Sequence, residues 1–361
     1  MTEKGKGMTD KRRIAYLDIA RGIGMILVVL GHVEYVDSTL RLFIAAFHMP
    51  LFFLISGILI WEKQEEEGKF IELVKRKLRS IMLPYVVFSL LSFAIEGGRI
   101  AIKRLNQWEV VFRQLFQSLC LQGVSTLWFL PALFMSELFF VLIRKKFKNS
   151  WTIGIISAIV IIVAFLNTAE QNIYRLHGES LARGLLHDVV SMLLRNLFCA
   201  GLVGAGYYMG RYLLPRLTKL WQVLAGLLAS GIAAWVVIPM NLGVDLRYMQ
   251  LGNLSLFWLG AVGGALAVLF LSRLLEAVPV SAVKLPLEYF GRSSLIIMVT
   301  HMDFRVLYCS IRVAGLLQQL WNNQAVFCVC IVVLVFLIEI PVIWFVNRYL
   351  PMIMGKKYKS S

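Results

Sequence analysis

Runs of about 20 mostly apolar residues leave a chain few options, because each one is long enough to cross a bilayer as a helix. This sequence has eight clear runs of that kind: Ile14–Val36, Leu42–Trp61, Leu127–Ile143, Trp151–Leu166, Met192–Tyr212, Trp221–Met240, Leu254–Leu271 and Ala325–Val346. Two more are weaker. Ser80–Ile95 is short and contains Pro84, and Leu285–Met302 carries Arg292, a Ser pair and His301. Hydrophobic residues make up 59% of the 361, against about 45–50% in a soluble domain. The pattern predicts an all-α polytopic membrane protein with about ten transmembrane helices.

An even number of spans puts both termini on one side. Lys and Arg concentrate in segments 1–13, 62–79, 144–150, 211–220 and 272–284 and at the C-terminal end. Cytoplasmic loops carry such an excess, so the termini are expected inside, N-in/C-in. Segment 96–125 dissents: assigned outside, it holds Arg99, Lys103, Arg104 and Arg113, and it reads as an interfacial amphipathic helix. The expected organisation is a basic cytoplasmic tail over 1–13, a membrane domain over 14–350 and a second basic cytoplasmic tail over 351–361. The first span is too long, and lacks the small-residue cleavage site, for a secretion signal.

Composition also narrows function. The net charge of +16 follows from the inner loops and needs no nucleic-acid partner. Cys120, Cys199, Cys309, Cys328 and Cys330 form no CxxC pair, so neither a disulfide framework nor a metal site is expected. The glycines of 201–210 and 260–267 follow no predicted strand and read as helix-packing positions. No internal repeat is visible, which argues against a transporter built from two similar halves.

The polar residues inside the spans carry the chemistry. A charge at the bilayer centre costs about 2.5–3.5 kcal/mol on insertion scales, yet the first span holds Asp18, Arg21 and His32. Arg21 and His32 are eleven residues apart, close to three helical turns, so they share one face about 16 Å apart. Asp18, three residues before Arg21, is placed to pair with it. On the predicted topology Arg21, Arg76, Arg79 and Arg292 gather at the cytoplasmic side, where guanidinium forks suit a phosphorylated ligand. The histidines sort to the outer half: His32, His48 and His301 at helix ends, His177 and His187 in a loop. Imidazole suits acid–base work near neutral pH. A cytosolic cation and an outward imidazole on one helix face fit a long ligand with phosphates at one end and a reactive group at the other, the form of acetyl-CoA.

These residues also carry a likeness. Arg21-x10-His32, "FHMPLFFLISGILI" (47–60), "RKLR" (76–79), "LWFLPALF" (127–134) and "LEYFGRSSLIIMVTH" (287–301) together resemble the integral-membrane acyltransferase 3 family, which O-acylates bacterial cell-envelope glycans. The chain is most similar to its short, fucose 4-O-acetylase-like members. The resemblance implies a multi-pass protein of the bacterial plasma (inner) membrane, with His32 as the catalytic histidine. It implies that Arg21, Arg76 and Arg79 serve a cytosolic acyl-CoA, and that the acceptor is an extracytoplasmic carbohydrate or lipid-linked glycan. His48, His301 and Asp303 then become acceptor-side candidates, with Asp18 and Arg292 in support and no metal. His32 is expected to act as general base or to take the acyl group itself. A WTL/WSL-type stretch of some members is replaced by "LWFLPALFMSE", which leaves Glu137 without a role. His32 also begins an HxxxxD string ending at Asp37, but on one helix those two side chains point about 140° apart. The alternatives are a transporter or flippase of a polar lipid or sugar, marked by the same intramembrane charges, and a non-catalytic membrane sensor.

Overall fold

A computed structural model describes residues 14–102, 108–147, 149–177, 181–278, 281–317 and 323–355; for 175–177, 181, 182 and 317 it describes the backbone alone. The tail 1–13, the end of the second tail from 356, and Lys103 and Arg104 lie outside the described residues, as does the His177 side chain.

Among the described residues the chain is helical throughout, with one isolated bridge between Asp245 and Gln250. Nine helical segments among the described residues are long and apolar enough to cross a membrane: Ala15–His32, Ser38–Glu62, Phe70–Ile102, Ser125–Lys146, Asn149–Tyr174, Arg183–Arg216, Leu220–Asn241, Leu254–Ala277 and Gln324–Tyr349. The tenth expected span, Leu285–Met302, is built differently. Helix α12 (Ser281–Arg292) ends at Ser293, and α13 (Ser294–Thr300) continues beyond it. Ser293 leaves helical geometry at φ −102°, ψ 8°. The second expected span is likewise divided, into α2 (Ser38–Ala45) and α3 (His48–Glu62). Asp37 caps α2 by accepting the Thr39 and Leu40 N–H groups at 2.8 and 3.1 Å.

Ser80–Ile95 proves to be part of a longer element. Helix α4 (Phe70–Lys77) runs through a π turn (Leu78–Met82) into α5 (Leu83–Ile102). Pro84 cannot donate to the carbonyl four residues back, and its ring crowds that position. The wide turn absorbs the mismatch: Leu83 N–H reaches the Leu78 carbonyl, five residues back. The Pro therefore reshapes the helix without ending it. A helix does form in the dissenting segment, α6 (Trp108–Leu119), with Trp108, Phe112, Leu115 and Leu119 exposed along one stripe. That is the amphipathic form expected there.

The remaining long helices are α7 (Phe129–Lys146), α8 (Asn149–His177), α9 (Leu181–Tyr208), α10 (Leu220–Val237), α11 (Leu254–Ala277) and α15 (Gln324–Tyr349), with the shorter α14 (Val306–Leu317) before the last. Helix α1 (Ala15–His32) sits among them, packed on α2, α3, α11, α12, α13 and α15. Its contact with α12 is backbone to backbone. A Cβ on Gly291 would strike the Asp18 carbonyl, and one on Gly22 the Leu287 carbonyl. Gly57 of α3 and Gly206 of α9 meet in the same way, on Val203 and Leu54 carbonyls, so at least Gly206 of the 201–210 cluster is a packing position.

At the His32 end, loop 242–253 folds back onto the bundle. Asp245 and Gln250 exchange two 2.9 Å backbone hydrogen bonds, and Asn167 Nδ2 donates to the Met249 carbonyl at 2.9 Å. Val244, Leu246, Met249 and Leu251 are buried. The turn between them presents Arg247 and Tyr248 beside α1.

Candidate active site

Two cavities lie along α1. The first, at the end that loop charge assigns to the cytosol, has a volume of about 260 Å³ and is lined by Arg21, Ser56, Lys77, Glu137 and Arg292 among others. The second, at the opposite end, has a volume of about 310 Å³ and is lined by His32, Arg41, His48, Thr126 and Arg247 among others. Met298 of α13 lines both. The helix break at Ser293 lets one short stretch supply Arg292 to the inner cavity and Met298 to the boundary.

The inner cavity is a network of paired charges. Asp18 bridges two cations: its Oδ2 lies 3.2 Å from Arg292 Nε and its Oδ1 3.6 Å from Arg21 Nη1. Glu288 also pairs with Arg292. Across the cavity Lys77 Nζ lies 2.9 Å from Glu137 and 3.2 Å from Glu65, and the Ser56 hydroxyl donates to Glu137. Arg76 pairs with Glu65 at 2.9 Å. The pairing removes much of the cost of placing these groups at membrane depth.

Two imidazoles, His32 and His48, line the outer cavity, and a third, His301, packs on His32. His32 Nδ1 lies 2.7 Å from the Val28 carbonyl, His48 Nδ1 2.9 Å from the Ile44 carbonyl and His301 Nδ1 2.7 Å from the Ile297 carbonyl. A carbonyl oxygen only accepts, so in each ring Nδ1 carries the proton and Nε2 is left as the base. The His32 and His301 rings meet edge to face at 5.3 Å. His301 is fully buried, and its Nε2 has no hydrogen-bond partner among the described residues. Asp303 stands one step back, accepting the Thr126 hydroxyl at 3.1 Å. Burial raises its pKa above the usual carboxylate value.

The structure thus joins Arg21 and Arg292 in one cavity, with Asp18 bridging the two, and His32 with His48 in the other, with His301 packed on His32. It does not bring Arg76 or Arg79 into the inner cavity: Arg76 reaches it only through Glu65, and Arg79 is exposed on the π turn. Lys77, between them, takes that place. His187 lies apart, stacked on Tyr174 at 4.1 Å and paired with Glu170. The cavity-lining residues absent from the sequence reading include Lys77, Glu65, Arg41, Arg247 and Met298. Glu137 did leave a signal, an acid in mid-span with nothing assigned to it.

Comparison with known proteins bears on this arrangement. No curated protein and no solved structure matches the chain significantly. A family model described as an acyltransferase domain, that of the acyltransferase 3 family, matches residues 14–344. That stretch contains both cavities and every helix that lines them, and the chain belongs to this family of multi-pass membrane acyltransferases.

Proposed function

We propose that the protein is a membrane O-acyltransferase of the bacterial plasma membrane. It moves an acyl group, acetyl in the simplest case, from cytosolic acyl-CoA to a hydroxyl of an extracytoplasmic or lipid-linked sugar. The observation that carries this reading is that Met298 lines both of two cavities along α1, one holding Arg21 and Arg292 and the other the His32 imidazole. Arg21 and His32 are about 16 Å apart along the axis, a separation the pantetheine arm of CoA can cover.

In this mechanism the CoA phosphates lie at the cytosolic mouth, against Arg21 and Arg292 within and the exposed Arg76 and Arg79 outside. The arm threads past Met298 and presents the thioester to the outer cavity. There His32 Nε2 takes the proton of the acceptor hydroxyl. The hydroxyl oxygen attacks the thioester carbonyl, the C–S bond breaks, and the imidazolium returns the proton to the departing CoA thiolate. His48 lines the acceptor side, and His301 fixes the His32 ring from behind. The Nδ1–H bond to Val28 keeps His32 in the tautomer this step needs.

The test is transfer of labelled acetyl from acetyl-CoA by the full chain in nanodiscs, with envelope glycan as acceptor. His32→Ala is expected to lower the rate about a hundredfold or more while acetyl-CoA still binds. Full transfer by that variant, or wild-type protein that moves a polar lipid across the bilayer without consuming acetyl-CoA, contradicts the reading.

A further inference from the structure

The two cavities treat their cations differently. At the inner end Arg21, Lys77 and Arg292 each sit on a carboxylate. At the outer end Arg41, Arg195 and Arg247 have no carboxylate at ion-pair distance among the described residues. The acids nearby are committed elsewhere. Asp37 caps α2, Asp245 accepts the Arg247 backbone N–H at 2.8 Å, Asp188 accepts from Gln117 and Gln122, and Asp303 accepts from Thr126.

Arg195 is fully buried and serves as the scaffold. Its Nη2 donates to the Gln122 carbonyl at 3.1 Å and its Nη1 to the Arg247 carbonyl at 3.2 Å, with the guanidinium over the Trp128 ring. It thereby holds the main chain of Arg247. The Arg247 guanidinium itself rests on the neighbouring Tyr248 ring, with no ion pair or hydrogen bond from it among the described residues and Asp303 within longer electrostatic reach. Arg41 lines the outer cavity with a buried Nε that has no acceptor. A partly buried cation without a directly paired anion is costly, and these lie on the side of the membrane where basic residues are depleted. A ligand that brings the missing anion offsets both.

We propose that the outer cavity takes an acidic acceptor, a sugar whose carboxylate or phosphate oxygens are held by Arg41 and Arg247 while a hydroxyl of the same unit faces His32 Nε2. Guanidinium forks match either oxyanion. Arg247 and Tyr248 also line an adjoining cavity of about 420 Å³ whose walls include Gln117, Gln122 and Gln171. Side-chain amides suit sugar hydroxyls, so the next unit of a glycan fits there. This inference rests on the proposed acyl transfer and adds the class of acceptor.

The experiment measures CoA release from acetyl-CoA by the full chain in nanodiscs, with methyl glucoside, methyl glucuronoside or glucose 1-phosphate added. The acidic probes are expected to change the rate, as acceptors or as occupants of the cavity, at concentrations about tenfold below those needed for the neutral glucoside. The glucuronoside and the phosphate arms separate the two sources of the oxyanion. In Arg41→Met and Arg247→Met that preference shrinks to about twofold or less, and Arg→Lys at either site restores part of it. Acetyl-CoA binding, measured on each variant, checks that it is folded. Equal effects of neutral and acidic probes, no effect of any, or a preference that survives both Met substitutions together overturns the inference. Protein that neither binds nor turns over acetyl-CoA overturns the proposed function instead.

Discussion

Each titratable side chain buried in this bundle carries a cost, and its partner decides whether the cost is met. Lys77 and Glu137 show the case where it is met, at 2.9 Å with Glu137 almost fully buried. Removing one member leaves the other charge stranded, so Lys77→Met is expected to destabilise the protein by about 3–5 kcal/mol, and Lys77→Met with Glu137→Met to recover part of that loss. Thermal unfolding in detergent reads both. Asp303 shows the opposite case. Burial raises its pKa, so the folded protein binds that proton more tightly than the unfolded chain does. The stability tied to it is complete below the unfolded pKa and is lost as pH rises through the folded one. Asp303→Asn, which keeps an acceptor for the Thr126 hydroxyl, is therefore expected to raise the melting temperature at pH 8 more than at pH 5. An equal fall at both values would show that the charge itself is needed. These pairings also mark the limit of what the sequence discloses. Arg21 and His32 were legible because eleven residues on one helix is a local rule. Lys77 finding Glu137, or Arg195 holding Arg247, depends on distant segments meeting, which no periodicity encodes.

The helices show the same division between local and tertiary causes. Hydropathy located the spans, but the π turn before Pro84, the break at Ser293 and the division of the second span at Ala46–Phe47 are local departures that apolar content does not reveal. The break at Ser293 lies between Arg292, which lines the inner cavity, and Met298, which lines both. Helix α12 is held to α1 by backbone contact at Gly291 and Gly22, so the spacing of the two helices fixes where Arg292 meets Asp18. Gly291→Ala must push the helices apart, an overpacking cost of about 1–3 kcal/mol, and is expected to lower both stability and donor affinity. Gly231 in α10 is the control. Nothing lies within 4 Å of a Cβ built there, so Gly231→Ala should stabilise the helix by about 0.5–1 kcal/mol. Melting temperatures of opposite sign for two chemically identical substitutions would locate the constraint in the α1–α12 contact.

On the scale of the whole molecule, the proposed function has donor and acceptor arriving from opposite sides and meeting within the bundle, which requires a passage that is closed to water and ions when no donor fills it. One side chain, Met298, lines both cavities and is itself almost fully buried. An unbranched thioether with three rotatable bonds is suited to a position that must yield to a thin chain and then close. A rigid side chain there should separate binding from transfer. Met298→Trp is expected to leave acetyl-CoA affinity within a few-fold, because Arg21, Lys77 and Arg292 are unaltered. Transfer should fall about a hundredfold, because a thioester held even slightly short of His32 loses the alignment the reaction needs. Met298→Leu, close in volume, should retain most of the activity. Equilibrium binding of acetyl-CoA and initial rates of acetyl transfer on the same nanodisc preparations test this directly. If Met298→Trp transfers at the wild-type rate, the acyl group does not cross at Met298, and the route from donor to His32 has to run elsewhere in the bundle.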